Sequence, residues 1–208
     1  MAKSFRKYDS NSEKEVAKFL DMNFYASNVS DFIRFEDKIN QLKGKDVKFS
    51  IDNLKNIIVD EKAQIYYINK NLPTFAFEIN FIRNSGHLTP GWLLDKDKET
   101  EYYLLIWISA DKEKGFVSED ITKLECLLIE RKKIMDFLEK QGLDSKKINS
   151  ISEKIRKRDV DGKCLSGEYD YCYFYLSKKL AENPLNIIIY KRKLIELSTK
   201  KFIVTKKN

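Results

Sequence analysis

Three residues of this 208-residue chain are of the types, and at the spacing, that could do chemistry together: Asp46, Asp60 and Lys62. Asp46 opens a segment that alternates strictly, with Val47, Phe49 and Ile51 on one side and Asp46, Lys48 and Ser50 on the other, the pattern of a half-buried strand. Asp60 and Lys62 follow the apolar run Ile57-Ile58-Val59 of the next strand. If Asp52-Asn53-Leu54 is the loop between them, residue 51 pairs with 55 and Asp46 lies opposite Asp60, with Cβ atoms roughly 5 Å apart. Period-two alternation then sets Lys62 on the face of Asp60. Two carboxylates so close repel unless a cation lies between them, an arrangement that binds Mg²⁺, or Mn²⁺ in its place, through oxygen. An ion held this way can bind a scissile phosphate oxygen and acidify an attacking water. Lys62 would orient that water or help to deprotonate it, and would add positive charge beside the phosphate. Gln64, two positions on along the same strand face, is a further candidate contact to the water or the phosphate, ahead of Gln41.

The elements that must position these residues are legible in outline. Residues 1–10 are polar and basic and are expected to be loosely held. Ser12 and Glu15 form a capping-box pair ahead of a helix whose inward face carries Val16, Ala17, Phe19 and Leu20. Residues 32–43 predict an irregular or short helical approach, broken at Gly44. The strand through Asp60 is expected to run over residues 55–68, and further strands over 74–82 and 102–109. Ser118 is expected to cap a long helix carrying Ile121, Leu124, Leu127, Leu128, Ile134, Phe137 and Leu138, ended by Gly142. A shorter basic helix is predicted over 145–158, and strands over 171–176, 185–190 and 202–205.

The order Gly44-Lys45-Asp46-Val47, then an acidic-x-Lys tripeptide, Asp60-Glu61-Lys62, at the end of the next apolar strand, resembles the motif of the PD-(D/E)XK, or restriction-endonuclease-like, nucleases. The resemblance covers roughly residues 13–82. It implies an α/β fold with a mixed central sheet flanked by helices, and Mg²⁺-dependent hydrolysis of phosphodiester bonds in DNA. By the resemblance Asp46 and Asp60 would be metal ligands, Glu61 would lend its backbone carbonyl, and Lys62 would be the catalytic lysine. The family's helix acid would be Glu13, which falls nearer the inward face than the alternative, Glu15. No Pro precedes Asp46, where the family's name expects one.

Composition sets the frame. Hydrophobic residues make up 42% and charged residues 34%, a globular balance, and no Pro-, Gly- or Ser-rich linker divides the chain. One domain over residues 1–208 is expected, with a helical segment at about 118–158 and a β-rich C-terminal part. The net charge of +7 suits a polyanion. Double-stranded DNA is the expected partner, and a two-fold pair of chains suits cutting of both strands. Cys126, Cys164 and Cys172 show no zinc spacing, and their odd number without a signal peptide fits the cytoplasm. No run reaches the about eighteen apolar residues of a membrane span. Glu78 reads as a residue of a wetter sheet face, His87 as a surface-loop residue, and the aromatics of 169–175 as sheet core rather than a stacking platform. The basic runs at 146–158 and 191–193 read as solvated faces able to meet phosphates.

Overall fold

The computed structural model describes residues 6–158, 160–180 and 182–207. In chain order the elements are α1 (Arg6–Leu20), a π-helical turn (Asp21–Tyr25), α2 (Ala26–Asn28), β1 (Ser30–Arg34), α3 (Lys38–Leu42), β2 (Val47–Ile51), β3 (Leu54–Ala63), β4 (Thr74–Ile82) and β5 (Leu88–Pro90). They continue with β6 (Tyr102–Ala110), a 3₁₀ turn (Ser118–Asp120), β7 (Ile121–Glu130), α4 (Arg131–Lys140), α5 (Ser145–Lys157), β8 (Gly162–Cys164), β9 (Cys172–Leu176), β10 (Leu185–Tyr190), α6 (Lys191–Leu197) and β11 (Lys200–Thr205). The protein is α/β, and the described residues group into two compact units woven from interleaved stretches of chain.

The first unit draws on residues within 5–72, 98–131 and 197–208. Its mixed sheet has the order β1-β2-β3-β6-β7-β11, antiparallel throughout except where β3 runs parallel to β6. α1 covers one face with Val16, Phe19 and Leu20, and the π-helical turn extends that cover with Phe24 and Tyr25. These pack against Val47, Phe49, Val59, Leu104 and Ile106 of the sheet. Each such side chain taken from water contributes about 1.5–3 kcal/mol, so this face is what holds α1 to the strands.

The second unit draws on residues within 73–97 and 132–196. Its antiparallel sheet has the order β5-β4-β10-β9-β8. Asp144 caps α5 by accepting from the Lys147 N–H at 2.7 Å. In this unit Arg156 donates to the Asn80 side chain at 2.9 Å, and Asn80 in turn donates to the buried Ser152 hydroxyl at 2.6 Å. The three cysteines are free thiols. Among the described residues no helix is long and apolar enough to cross a membrane.

Several local expectations are corrected. The loose segment expected over residues 1–10 lies outside the described residues for 1–5, and from Arg6 onward it is already helix. Ser12 is therefore a buried residue inside α1 and not its cap. β3 ends at Ala63, because Gln64 to Tyr67 turns the chain, with the Tyr67 N–H donating to the Gln64 carbonyl at 3.1 Å. β1, within the region expected to be irregular or helical, is a strand on the edge of the sheet. The largest correction concerns residues 121–130, expected to be helical, which form β7. Leu124, Cys126 and Leu128 alternate inward there and pair with Ile108, Ile106 and Leu104. The leucines at 124, 127 and 128 suit a helical period as well, and Cys126 between them completes the period of two.

Candidate active site

The hairpin of β2 and β3 brings the first two acids together. Its turn is tighter than the sequence predicts, since Asp52-Asn53 alone closes Ile51 onto Leu54. An irregularity then absorbs one residue. Asn56 takes a left-handed φ of 53° and its N–H donates to the Ser50 hydroxyl at 2.9 Å, after which Phe49 faces Ile57 and Val47 faces Val59. A shorter turn and a bulge together restore the register that sets Asp46 beside Asp60.

Asp46 is held by three bonds just ahead of β2. Its N–H donates to the Val59 carbonyl at 3.1 Å, its carbonyl accepts from the Phe35 N–H at 2.9 Å, and its carboxylate Oδ2 accepts from the Glu61 N–H at 2.8 Å. Asp60 is buried, at 2% exposure. The two carboxyl groups lie side by side across the hairpin, and Lys62 forms an ion pair with Asp60. Burial pushes the Asp46 carboxyl up to about 6; Lys62 pulls it down and the charge of Asp60 adds to the rise. Burial also works against the Lys62 ammonium, but Asp60 and Asp46, with Glu13 adding to the field, more than offset it and hold that group above its ordinary range. Lys62 is therefore a firm cation, suited to binding or orienting and not to removing a proton.

Asp46 and Lys62 open on a cleft of about 760 Å³ lined also by Glu61 of β3, Glu13 of α1, Arg34 of β1 and Gln41 of α3, whereas Asp60 is buried and is not among the lining residues. Glu13 lines the cleft, but it is exposed on α1 while Glu15 is half-buried, so the wheel's expectation that Glu13 falls nearer the inward face is not met. Glu15 points elsewhere, its carboxylate accepting from the Ser118 N–H at 2.8 Å. Gln41, the second choice in sequence, lines the cleft. Gln64, the first choice, lies past the end of β3 with its N–H donating to the Ile106 carbonyl at 3.0 Å, and it is not among the cleft-lining residues, because the strand that would have carried it stops one residue earlier. Glu78 and His87 belong to the second unit and are not among those residues either.

Sequence reasoning missed a second cluster lining the same cleft, around Glu61 of β3. The Glu61 carboxylate accepts from the Tyr25 hydroxyl at 2.6 Å and from Arg34 Nη1 at 2.8 Å, while Arg34 also donates from Nε and Nη2 to Asp21 at 2.9 and 2.7 Å. Arg34 thus ties the π-helical turn, β1 and β3 together beside Asp46. No spacing in the sequence relates positions 21, 34 and 61, so only a charge reading of an unrecognised strand could have pointed to it.

Among the described residues no three His, Cys, Asp or Glu side chains are grouped to hold a metal ion. Glu13 therefore does not complete a carboxylate triad with Asp46 and Asp60, and the Glu61 carboxylate is committed to Arg34 and Tyr25. The donor set is two neighbouring carboxylates, Asp46 and Asp60, the latter already paired with Lys62. That set fits Mg²⁺ or Mn²⁺, which use one or two carboxylates and take their other oxygens from water and substrate phosphate, and it does not fit an all-protein cage. No family model, curated protein or solved structure matches the chain.

Proposed function

We propose that this protein is a Mg²⁺-dependent nuclease that hydrolyses phosphodiester bonds in DNA on a restriction-endonuclease-like core, as an endonuclease of the restriction, defence or mobile-element kind. The observation that carries the reading is the register of the β2–β3 hairpin, which sets Asp46 beside Asp60, with the Lys62 ammonium paired to Asp60. Asp46 and Asp60 would hold the ion, which when bound supplies a Lewis acid for the phosphate and a water of lowered pKa.

The chain's own groups do the rest. Lys62, kept protonated by the two acids, meets the negative charge that grows on the phosphate. The Glu61 N–H fixes the Asp46 carboxylate, so that this ligand is oriented before anything binds. Arg34, saturated by Asp21 and Glu61, braces that strand instead of meeting substrate. The net charge of +7 supplies sequence-independent attraction to the polyanion. Cutting both strands of a duplex calls for two such sites, which a two-fold pair of chains would provide.

One observation favours a second reading, a catalytically inactive protein that binds nucleic acid or another protein. Asp60 already has a cation in Lys62, so the pair is electrostatically satisfied without a metal. The deciding experiment incubates supercoiled and linear DNA with wild type, Asp60→Ala and Lys62→Ala in Mg²⁺, Mn²⁺ or EDTA. Metal-dependent cutting that falls at least about a hundred-fold in both variants is expected. Folded wild type that neither cuts nor binds Mn²⁺ in calorimetry overturns the nuclease reading and leaves the binding protein.

A further inference from the structure

On the second unit's sheet, β9 divides its side chains cleanly: Cys172, Phe174 and Leu176 point into the core, while Tyr173 and Tyr175 point outward, Tyr175 at 39% exposure. The aromatics of this segment are thus core on one face only. The residues opposite them are Ile188, itself buried, and Asn186 on β10 and Lys163 on β8. Lys163 Nζ sits 4.2 Å from the Tyr173 ring centroid, and the Tyr173 and Tyr190 rings meet edge-on at 6.0 Å. Arg192, at the start of α6, lies 4.5 Å from the Tyr171 ring and 5.9 Å from that of Tyr190. Lys163, Tyr173, Tyr190, Arg192 and Tyr171 thus form one run of ring and cation–ring contacts, with the exposed Tyr175 paired opposite Lys163 in the sheet. Among the described residues neither Lys163 nor Arg192 has a carboxylate partner; both are held on π faces instead. Glu78, opposite Asn186 on β4, is the acid on the neighbouring strand of this face, and Lys193, 4.6 Å from the Tyr171 ring, also pairs with Glu196.

We infer that this face is a binding platform for single-stranded DNA. A ring face left open to solvent offers a surface on which unpaired bases of any sequence stack, and cations fixed between rings meet the phosphates that lie between those bases. A duplex hides its base faces, so it could use only the cations. Stacking also explains the placing of Lys163 and Arg192, because a cation on a ring is positioned without being neutralised and keeps its charge for a ligand. The choice of DNA over RNA rests on the proposed function; the choice of a single strand rests on the face itself.

The test is fluorescence anisotropy of a labelled oligo-dT of about 15 nucleotides with the full chain in EDTA, so that cleavage plays no part and failure of the nuclease reading leaves the outcome intact. Tyr175→Ala is expected to weaken binding about five-fold or more with its salt dependence unchanged. Lys163→Ala with Arg192→Ala is expected to flatten the log–log salt slope by about 1.4, two phosphate contacts' worth. Tyr175→Phe should bind as wild type, and Lys146→Ala with Lys147→Ala on α5 should weaken binding less than two-fold. Thermal melts matching wild type establish that the variants fold. No binding by wild type, equal losses in the α5 variant, or a duplex bound as tightly as the single strand overturns the platform. An oligo-U bound ten-fold more tightly than oligo-dT overturns the assignment to DNA.

Discussion

The carboxylate of Asp46 accepts a hydrogen bond from the backbone N–H of Glu61 at 2.8 Å, so a side chain takes an acceptor's place at the end of the β2–β3 hairpin. The acid is fixed by the strand that carries Asp60 and Lys62. Orientation of one candidate ligand and position of the other two residues are therefore one structural property, and substitutions at Asp46 separate its charge from its bond.

Asp46→Asn keeps an amide oxygen for the Glu61 N–H while removing a charge that burial disfavours. It should unfold at or above the wild-type temperature yet bind Mn²⁺ at least ten-fold more weakly in calorimetry. Asp46→Ala, which also loses the bond, should cost about 1.5–3 kcal/mol in urea unfolding. Equal Mn²⁺ affinity in wild type and Asp46→Asn would remove Asp46 from the metal site.

The raised Asp46 carboxyl also makes a pH prediction for the metal-free protein. Its folded value, about 6, lies above the unfolded value of 3.8, so the folded state holds this proton more tightly. The stabilisation it gives is complete below the unfolded value and is lost as pH rises through about 6. Wild-type stability minus that of Asp46→Asn should therefore fall between about pH 4 and pH 6.5 and then level off. A difference flat across that range would contradict the burial of this carboxyl.

Arg34 and Glu61 are largely shielded, at 18% and 11% side-chain exposure, and Arg34 also serves Asp21. Arg34→Ala strands two acids beside the hairpin and should cost about 3–5 kcal/mol. Arg34→Lys keeps the charge but not the fork that reaches both acids, and should recover only part of that loss. A cost below about 1 kcal/mol in urea unfolding, the value of an exposed pair, would mean that the brace is not formed.

Gly44 has a left-handed φ of +70°, and a Cβ there would collide with the hydroxyl of Thr100, which donates to the Gly44 carbonyl at 2.8 Å. The same Cβ would come within 3.4 Å of Asp60 Oδ2. Gly44→Ala combines about 1–2 kcal/mol of backbone cost with displacement of Thr100, so a total above about 2 kcal/mol is expected. Gly44→Asn, whose side chain tolerates that φ, should still be destabilised, because the collision remains; wild-type stability for Gly44→Asn would show that only the backbone matters.

What the sequence determined by itself was whatever repeats over short distances. Alternation in residues 46–51 and the apolar run before Asp60 were enough to pair β2 with β3 and to set Asp46 beside Asp60, although the turn proved one residue shorter, because only one register buries Val47, Phe49 and Val59 on one face. The wheel did not rank Glu13 and Glu15, since Glu13 is the exposed one and Glu15 the half-buried one, and only the neighbouring elements set Glu13 on the cleft. What the tertiary structure decided was whatever depends on partners far along the chain. Residues 121–130 carry leucines at spacings that suit a helix as well as a strand, and β6 and β11 on either side make them a strand. Arg34 gains its role from Asp21 and Glu61, 13 and 27 residues away, and in β9 Phe174 faces the core while Tyr173 and Tyr175 face outward according to which sheet face is covered. Periodicity records which side chains share a face; it carries no information on what that face meets, and that is settled only when distant segments bury it.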